Sequence, residues 1–183
     1  MEKQFYEIYE KYHQNLFQFL FYMVKSREQA EDLIQEVYIR ILKSYHQFEN
    51  RSSEKTWIFS IAKHVAIDFF RKQKRWKHQL SDSFDGETNL ISDHSPLPED
   101  IALQNESIQI MYRCLDKCKL DQRLVLILRY IQSLSIQETA SVLGWSEGKV
   151  KTTQHRALKT IRSLMQSEIE KGEENCGKIR LER

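Results

Sequence analysis

Both prolines of this chain, Pro96 and Pro98, fall in one polar stretch, and on either side of it apolar residues recur every three or four positions. Proline interrupts helices and strands alike, whereas three-to-four spacing is the mark of a helix with one buried face. The chain therefore reads as helices, a break, and further helices. With only 5 Gly and 2 Pro in 183 residues, little else interrupts them. Abundant Leu, Ile, Gln, Glu and Lys favour helix over strand. The expectation is an all-α protein of two small helical domains joined by a flexible acidic linker, the C-terminal one containing a helix-turn-helix.

Phe5, Ile8, Tyr9, Tyr12, Leu16, Phe19, Leu20 and Met23 mark one face of a first helix. S-R-E-Q at Ser26–Gln29 is a capping-box pattern. It opens a second helix with Ala30, Leu33, Ile34, Val37, Ile41 and Leu42 inward. The segment Phe48–Ser53 is polar and aperiodic and reads as a loop. A third helix is expected to carry Trp57, Ile58, Ile61, Ala62, Val65 and Phe69 inward. The break covers about residues 79–100. Beyond it the spacing predicts helices from about Ile101 to Cys118 and from Asp121 to Ile131, the latter with Val125, Leu128 and Ile131 inward. Ser135 is placed to cap a short helix with Ile136, Ala140 and Leu143 on one face. Gly144 then turns the chain, since only glycine adopts positive φ at little cost. Ser146 caps a last helix whose buried stripe is Val150, Ala157, Ile161 and Leu164. The charged tail from about Gln166 is expected to fray.

The net charge of +2 hides an uneven distribution. Arg71–His78 reads R-K-Q-K-R-W-K-H, five cations in eight residues, while residues 79–100 hold six carboxylates and no Lys or Arg. Cations beside aromatics (Phe69, Phe70, Trp76) suit a nucleic-acid strand with unstacked bases; they equally suit a solvated helix end. On the last helix Lys149, Lys151, Thr152, His155, Arg156 and Lys159 share a face that lacks carboxylates. Cations meet phosphates, and side chains at a helix start read base edges in a major groove. The same pattern fits an α-hairpin with a solvated face. On the second helix Asp32, Gln35 and Glu36 share an exposed side, next to Glu31, which could dock a basic partner helix or simply be solvated.

Other classes find less support. Charges of both signs within Met1–Lys11 argue against a signal peptide. The greasy run Leu16–Val24 is shorter than the roughly 20 apolar residues a membrane span needs. Three cysteines without framework spacing are expected to be reduced thiols in a cytoplasm. Cys114 and Cys118 lack further ligands in register, so no metal and no cofactor is expected. His64 and Asp68 lie one turn apart, but no third group orients them, and no phosphate loop or nucleophile elbow is present. The chain is not expected to be an enzyme.

Several blocks in order are distinctive: E-D-L-I-Q-E-V-Y (Glu31–Tyr38), T-W-I-F-S-I-A-K-H-V-A-I-D-F-F-R-K-Q-K-R (Thr56–Arg75), D-Q-R-L-V-L-I-L-R-Y (Asp121–Tyr130) and S-I-Q-E-T-A-S-V-L-G-W-S-E-G-K-V-K-T-T-Q-H-R-A-L-K (Ser135–Lys159). Over about residues 5–165 the chain resembles the extracytoplasmic-function sigma factors of the sigma-70 family, as found in Bacillus-type bacteria. The resemblance implies a region 2 domain over 1–78, a linker over 79–100, a region 4 domain over 101–165 and a charged tail over 166–183. It implies that Asp32, Gln35 and Glu36 dock on the β′ clamp helices of core RNA polymerase, with the β flap a further contact. It implies −10 promoter DNA contacts at Phe48, Asn50, Arg51, Ser52, Lys55, Lys63, His64, Arg71, Lys74 and Arg75, where a flipped base is held. It implies −35 contacts at Ser146, Lys149, Lys151, Thr152, His155, Arg156 and Lys159. The implied setting is cytoplasmic transcription initiation for a stress or cell-envelope regulon, under a membrane-anchored anti-sigma factor. His64 stands where many relatives have Asn, and Thr153-Gln154-His155 where a basic-hydrophobic stretch is common. A stand-alone helix-turn-helix regulator is the alternative, and only the sigma reading gives the Asp32–Glu36 face a task.

Overall fold

The computed structural model describes residues 2–48, 52–81 and 106–181, and within them the side chains of 5–46, 48, 52–75 and 109–170. The described residues hold helices and no strand. The chain divides into two compact units, one built on the first three helices and the other holding most of the remainder.

In the first unit α1 (Glu2–Val24) and α2 (Arg27–Ser44) pack on each other and on α3 (Glu54–Ser81). Lys25, at φ 63°, ends α1 in a left-handed turn. Ser26 then caps α2 by accepting from the Gln29 N–H at 3.3 Å, which is the serine half of the predicted capping box. Ile8, Leu16, Phe19, Leu20 and Met23 of α1 are buried, as are Ala30, Leu33, Ile34, Val37 and Ile41 of α2. Leu42 is not inward: it is 43% exposed. In α3 the buried set is Ile58, Phe59, Ala62, Val65 and Ala66. Trp57, Ile61 and Phe69, expected inward, are half-buried at its margins.

In the second unit α4 (Glu106–Lys117) precedes α5, an α-helix over Leu120–Leu126 that continues as a π-turn over Ile127–Ile131. Two helices follow, α6 (Ile136–Leu143) and α7 (Glu147–Leu181). Both α4 and α5 pack on α7. The guanidinium of Arg123 is buried at the end of α4, donating to the Leu115 carbonyl at 3.1 Å and to the Asp116 carbonyl at 2.7 Å. It thus satisfies orphan carbonyls of a helix C-terminus while pairing with the Asp116 carboxylate at 3.1 Å. Burial holds the thiols of Cys114 and Cys118 above the ordinary cysteine value, which keeps them protonated.

The helix-turn-helix is closed by three local devices. Ser135 and Glu138 form a reciprocal capping box: the Glu138 N–H donates to Ser135 Oγ at 3.1 Å and the Ser135 N–H to Glu138 Oε2 at 2.7 Å. Gly144 sits at φ 69°, and the Trp145 N–H returns to the Ala140 carbonyl at 2.9 Å, a Schellman closure. Ser146 then accepts from the Lys149 N–H at 3.3 Å and starts α7.

Two expected boundaries are also corrected. The tail does not fray at Gln166, because α7 runs on to Leu181. Leu164, Met165 and Ile169 prolong the apolar spacing of α7, and Glu168 meets Lys117 of α4 at 2.6 Å. Residues 79–81, expected in the linker, belong to α3, while the rest of that linker lies outside the described residues. No helix among the described residues is long and apolar enough to cross a membrane.

Candidate nucleic-acid interface

The first half of α7 carries the predicted face. Val150 and Ala157 are buried, and Lys149, Lys151, Thr152, His155, Arg156 and Lys159 are all exposed. Each of these side chains is oriented by the helix alone or by a weak local contact. Lys149 Nζ lies 3.7 Å from the centre of the Trp145 ring, a cation–π contact at the start of the helix. Thr152 Oγ1 donates back to the Gly148 carbonyl at 2.9 Å. The face is not free of carboxylates: exposed Glu147, one turn before Lys151, stands 3.7 Å from its amine. That pair is solvated on both sides and holds Lys151 only loosely. Among the described residues the side chains of His155, Arg156 and Lys159 make no hydrogen bond or ion pair.

Gln154, between two of these residues, faces the protein instead. Its Oε1 accepts from Arg129 Nε at 3.1 Å and its Nε2 donates to the Tyr130 hydroxyl at 2.9 Å. Arg129 Nη1 also donates to the Leu134 carbonyl, where the chain enters the helix-turn-helix. This clasp joins the π-turn to α7. Nothing local in the sequence links these three residues, because the contacts span 24 and 25 positions.

The first unit presents two surfaces. Around the loop before α3, Ser53 caps the helix through the Thr56 N–H at 3.1 Å. Phe48 tilts against Trp57 with ring centres 4.9 Å apart, and Tyr45 meets Trp57 edge-on at 5.8 Å. The two ends of the loop are thereby joined by aromatic contact. Ser52 is half-buried at its rim, Lys55 half-buried one residue into α3, and Arg71, Lys74 and Arg75 are exposed further along that helix. Asn50 and Arg51 lie outside the described residues. Lys63 is buried, with its amine 3.0 Å from His64 Nε2, so it supports His64 rather than standing free.

Desolvation, and then the Lys63 charge, hold the His64 imidazole below the ordinary histidine range. Folding therefore disfavours its proton. The first unit should lose stability as pH falls below about 6.5, where the unfolded chain binds that proton and the native state does not. The loss levels off once folded His64 is protonated as well. Urea midpoints from about pH 8 to 5 measure this effect. His64→Asn should flatten that part of the curve, and an unaltered slope assigns it to other groups.

On α2 Asp32 and Gln35 are exposed, while Glu36 is half-buried and bonded at 2.5 Å to Arg40. Arg40 also reaches Asp68 of α3 at 3.1 Å. Asp68 is thus held by Arg40, with Arg71 a further 3.9 Å neighbour, and is not an acid–base partner of His64. Ile39, 51% exposed, continues the Asp32–Glu36 side by one turn, an apolar element that charge patterning alone overlooks. Among the described residues no three His, Cys, Asp or Glu side chains gather as a metal site.

Comparison with known proteins adds to this geometry. The Sigma-70 region 2 family matches residues 8–76 and the Sigma-70, region 4 family matches residues 108–161. The chain is 54% identical over its full length to the ECF RNA polymerase sigma factor SigX of Bacillus subtilis, covering 93% of that protein. It is 32% identical to the RNA polymerase sigma factor YlaC of the same organism, over 87% of this chain and 90% of the relative. In fold it is similar to the sigma factor RpoE, solved with the anti-sigma factor NepR from Bartonella quintana. That likeness has a TM-score of 0.70 at 23% identity, over 90% of this chain and 98% of the other. CnrH, solved with the cytosolic domain of CnrY, gives 0.66 at 17% identity, over 91% and 90%.

Proposed function

The chain belongs to the extracytoplasmic-function group of the sigma-70 family, and from that premise we propose how its residues divide the work of promoter recognition. A sigma factor is not an enzyme; it brings RNA polymerase to a promoter, and the polymerase does the chemistry. Asp32, Gln35 and Glu36 on α2, extended by Ile39, form the face that docks core polymerase. The loop after Phe48, with Ser52, Lys55 and His64, receives the opened −10 strand, and Arg71, Lys74 and Arg75 follow its phosphates. Capturing an unstacked base requires contacts that offset a few kcal/mol. The face of α7 that begins at Ser146 and Lys149 and includes Lys151, Thr152, His155, Arg156 and Lys159 reads the −35 duplex. The observation that carries this reading is the recognition face itself: six side chains exposed together on the second helix of a capped, Gly144-turned helix-turn-helix.

A further partner is an anti-sigma protein, a proposal supported by the RpoE–NepR complex as a structural neighbour. The chain would meet both polymerase and regulator in the cytoplasm. The reading is tested by run-off transcription with core polymerase on duplexes that carry or lack a −35 element. Arg156→Ala should weaken binding of −35 duplexes by about 1–3 kcal/mol if its guanidinium pairs with a base edge. An unaltered −35 footprint would remove Arg156 from the interface.

A further inference from the structure

We propose that Tyr130 is a DNA contact of the second unit, its hydroxyl donating a hydrogen bond to a backbone phosphate oxygen beside the −35 element. The inference rests on the assignment of α7 to that element. It follows from the polarity of the clasp. Arginine carries donors and no acceptor, so the Gln154 atom facing Arg129 Nε at 3.1 Å is the carbonyl oxygen. The amide nitrogen is then the atom at 2.9 Å from the Tyr130 oxygen. An amide nitrogen only donates, so the tyrosine oxygen accepts, and its own hydrogen is left to donate elsewhere. Tyr130 is 52% exposed, so the hydroxyl can turn that hydrogen toward a group outside the protein.

Placement supplies the recipient. Gln154 is next to His155 and three residues from Lys151, so the hydroxyl it holds stands along the flank of the recognition face. Arg129 and Tyr130 both lie in the π-turn Ile127–Ile131, and both meet the same side chain of α7. Such turns recur at functional sites. Tyrosine hydroxyls are among the groups that fix a protein's register on phosphates without reading bases. Gln154 is accordingly a positioning residue, and the position taken by Thr153-Gln154-His155 serves the backbone as well as the bases.

The test uses full-length chain with core RNA polymerase and promoter duplexes in which single phosphates around the −35 element are replaced by neutral methylphosphonates. Tyr130→Phe, which keeps the ring, should bind about five- to tenfold more weakly, the worth of one hydrogen bond. The loss should be the same whatever bases occupy the element. The salt slope should stay unaltered, whereas Lys151→Ala should lower it by about one. One methylphosphonate that weakens the native chain should have no further effect on Tyr130→Phe or on Gln154→Leu. Native affinity for Tyr130→Phe, or a loss with every methylphosphonate acting equally on both chains, overturns the proposal. Arg156→Ala is run alongside. If it weakens binding while Tyr130→Phe does not, only the Tyr130 contact fails; if neither does, the −35 assignment of α7 falls and the Tyr130 contact with it.

Discussion

Replacing Phe59 with alanine is expected to remove about 3–5 kcal/mol from the stability of the first unit. The ring is fully buried on the face of α3 that meets α1, edge-on to Phe19 with centres 5.6 Å apart. Truncation loses both the transfer of the ring out of water and the edge-to-face contact, and leaves a cavity that three packed helices cannot collapse. Small domains have about 5–15 kcal/mol in total, so the variant would be marginally folded near physiological temperature. A urea midpoint followed by helical circular dichroism measures it. Trp57→Ala is the comparison. Trp57 is half-buried in the Tyr45–Phe48 cluster, so its removal should destabilise the unit less while loosening the loop that follows Phe48. A drop under about 1 kcal/mol for Phe59→Ala would mean that the site repacks and that the α1–α3 contact is not the centre of the unit.

Reversing the charges at Asp32 and Glu36 together, to arginine, should lower affinity for core polymerase by about a hundredfold, since a like-charge juxtaposition at an interface costs several kcal/mol. Asp32 is exposed and unencumbered on this face, so its effect is read at the interface. Glu36 also serves the fold, through its 2.5 Å bond to Arg40. Thermal melting of each single variant separates the two contributions, and Glu36→Gln shows what the bridge alone is worth. Glu10→Arg is the control for net charge: Glu10 is exposed too, but on α1 rather than α2. Core affinity measured by fluorescence anisotropy should barely change for Glu10→Arg. Equal losses at Glu10 and at the Asp32–Glu36 pair would show that charge, not this face, governs assembly.

Where local chemistry decides, sequence reading succeeded. Ser26, Ser135, Gly144 and Ser146 act within three or four residues of themselves, and all four do in the structure what their spacing predicts. The register of α3 was harder. Apolar residues at 57, 58, 59, 61, 62, 65, 66, 67, 69 and 70 fill more than one face, so periodicity alone cannot choose between Phe59 and Trp57. Packing against α1 chooses Phe59. From Gln166 on the chain is rich in charge, with Ile169 the next apolar residue, so spacing alone does not show that α7 continues. The π-turn left no trace in composition, since it is a change of hydrogen-bond register. Membership of the family, and the exposed face of α7, were legible; which of the flanking residues are occupied by one another, as Gln154, Lys63 and Glu36 are, required coordinates.

The continuity of α7 has a mechanical meaning. Thr152 and Glu168 lie on one unbroken rod, about 24 Å apart at 1.5 Å per residue. The near end carries the face proposed to enter the groove, and Glu168 toward the far end pairs with Lys117 of α4. On that proposal the rod would work as a tiller: tilt applied at the Lys117–Glu168 pair would be carried along the helix to the face that reads bases. Substitutions at Glu168, far along the rod, or at its α4 partner Lys117 are therefore expected to alter promoter preference, as are those on the proposed recognition face.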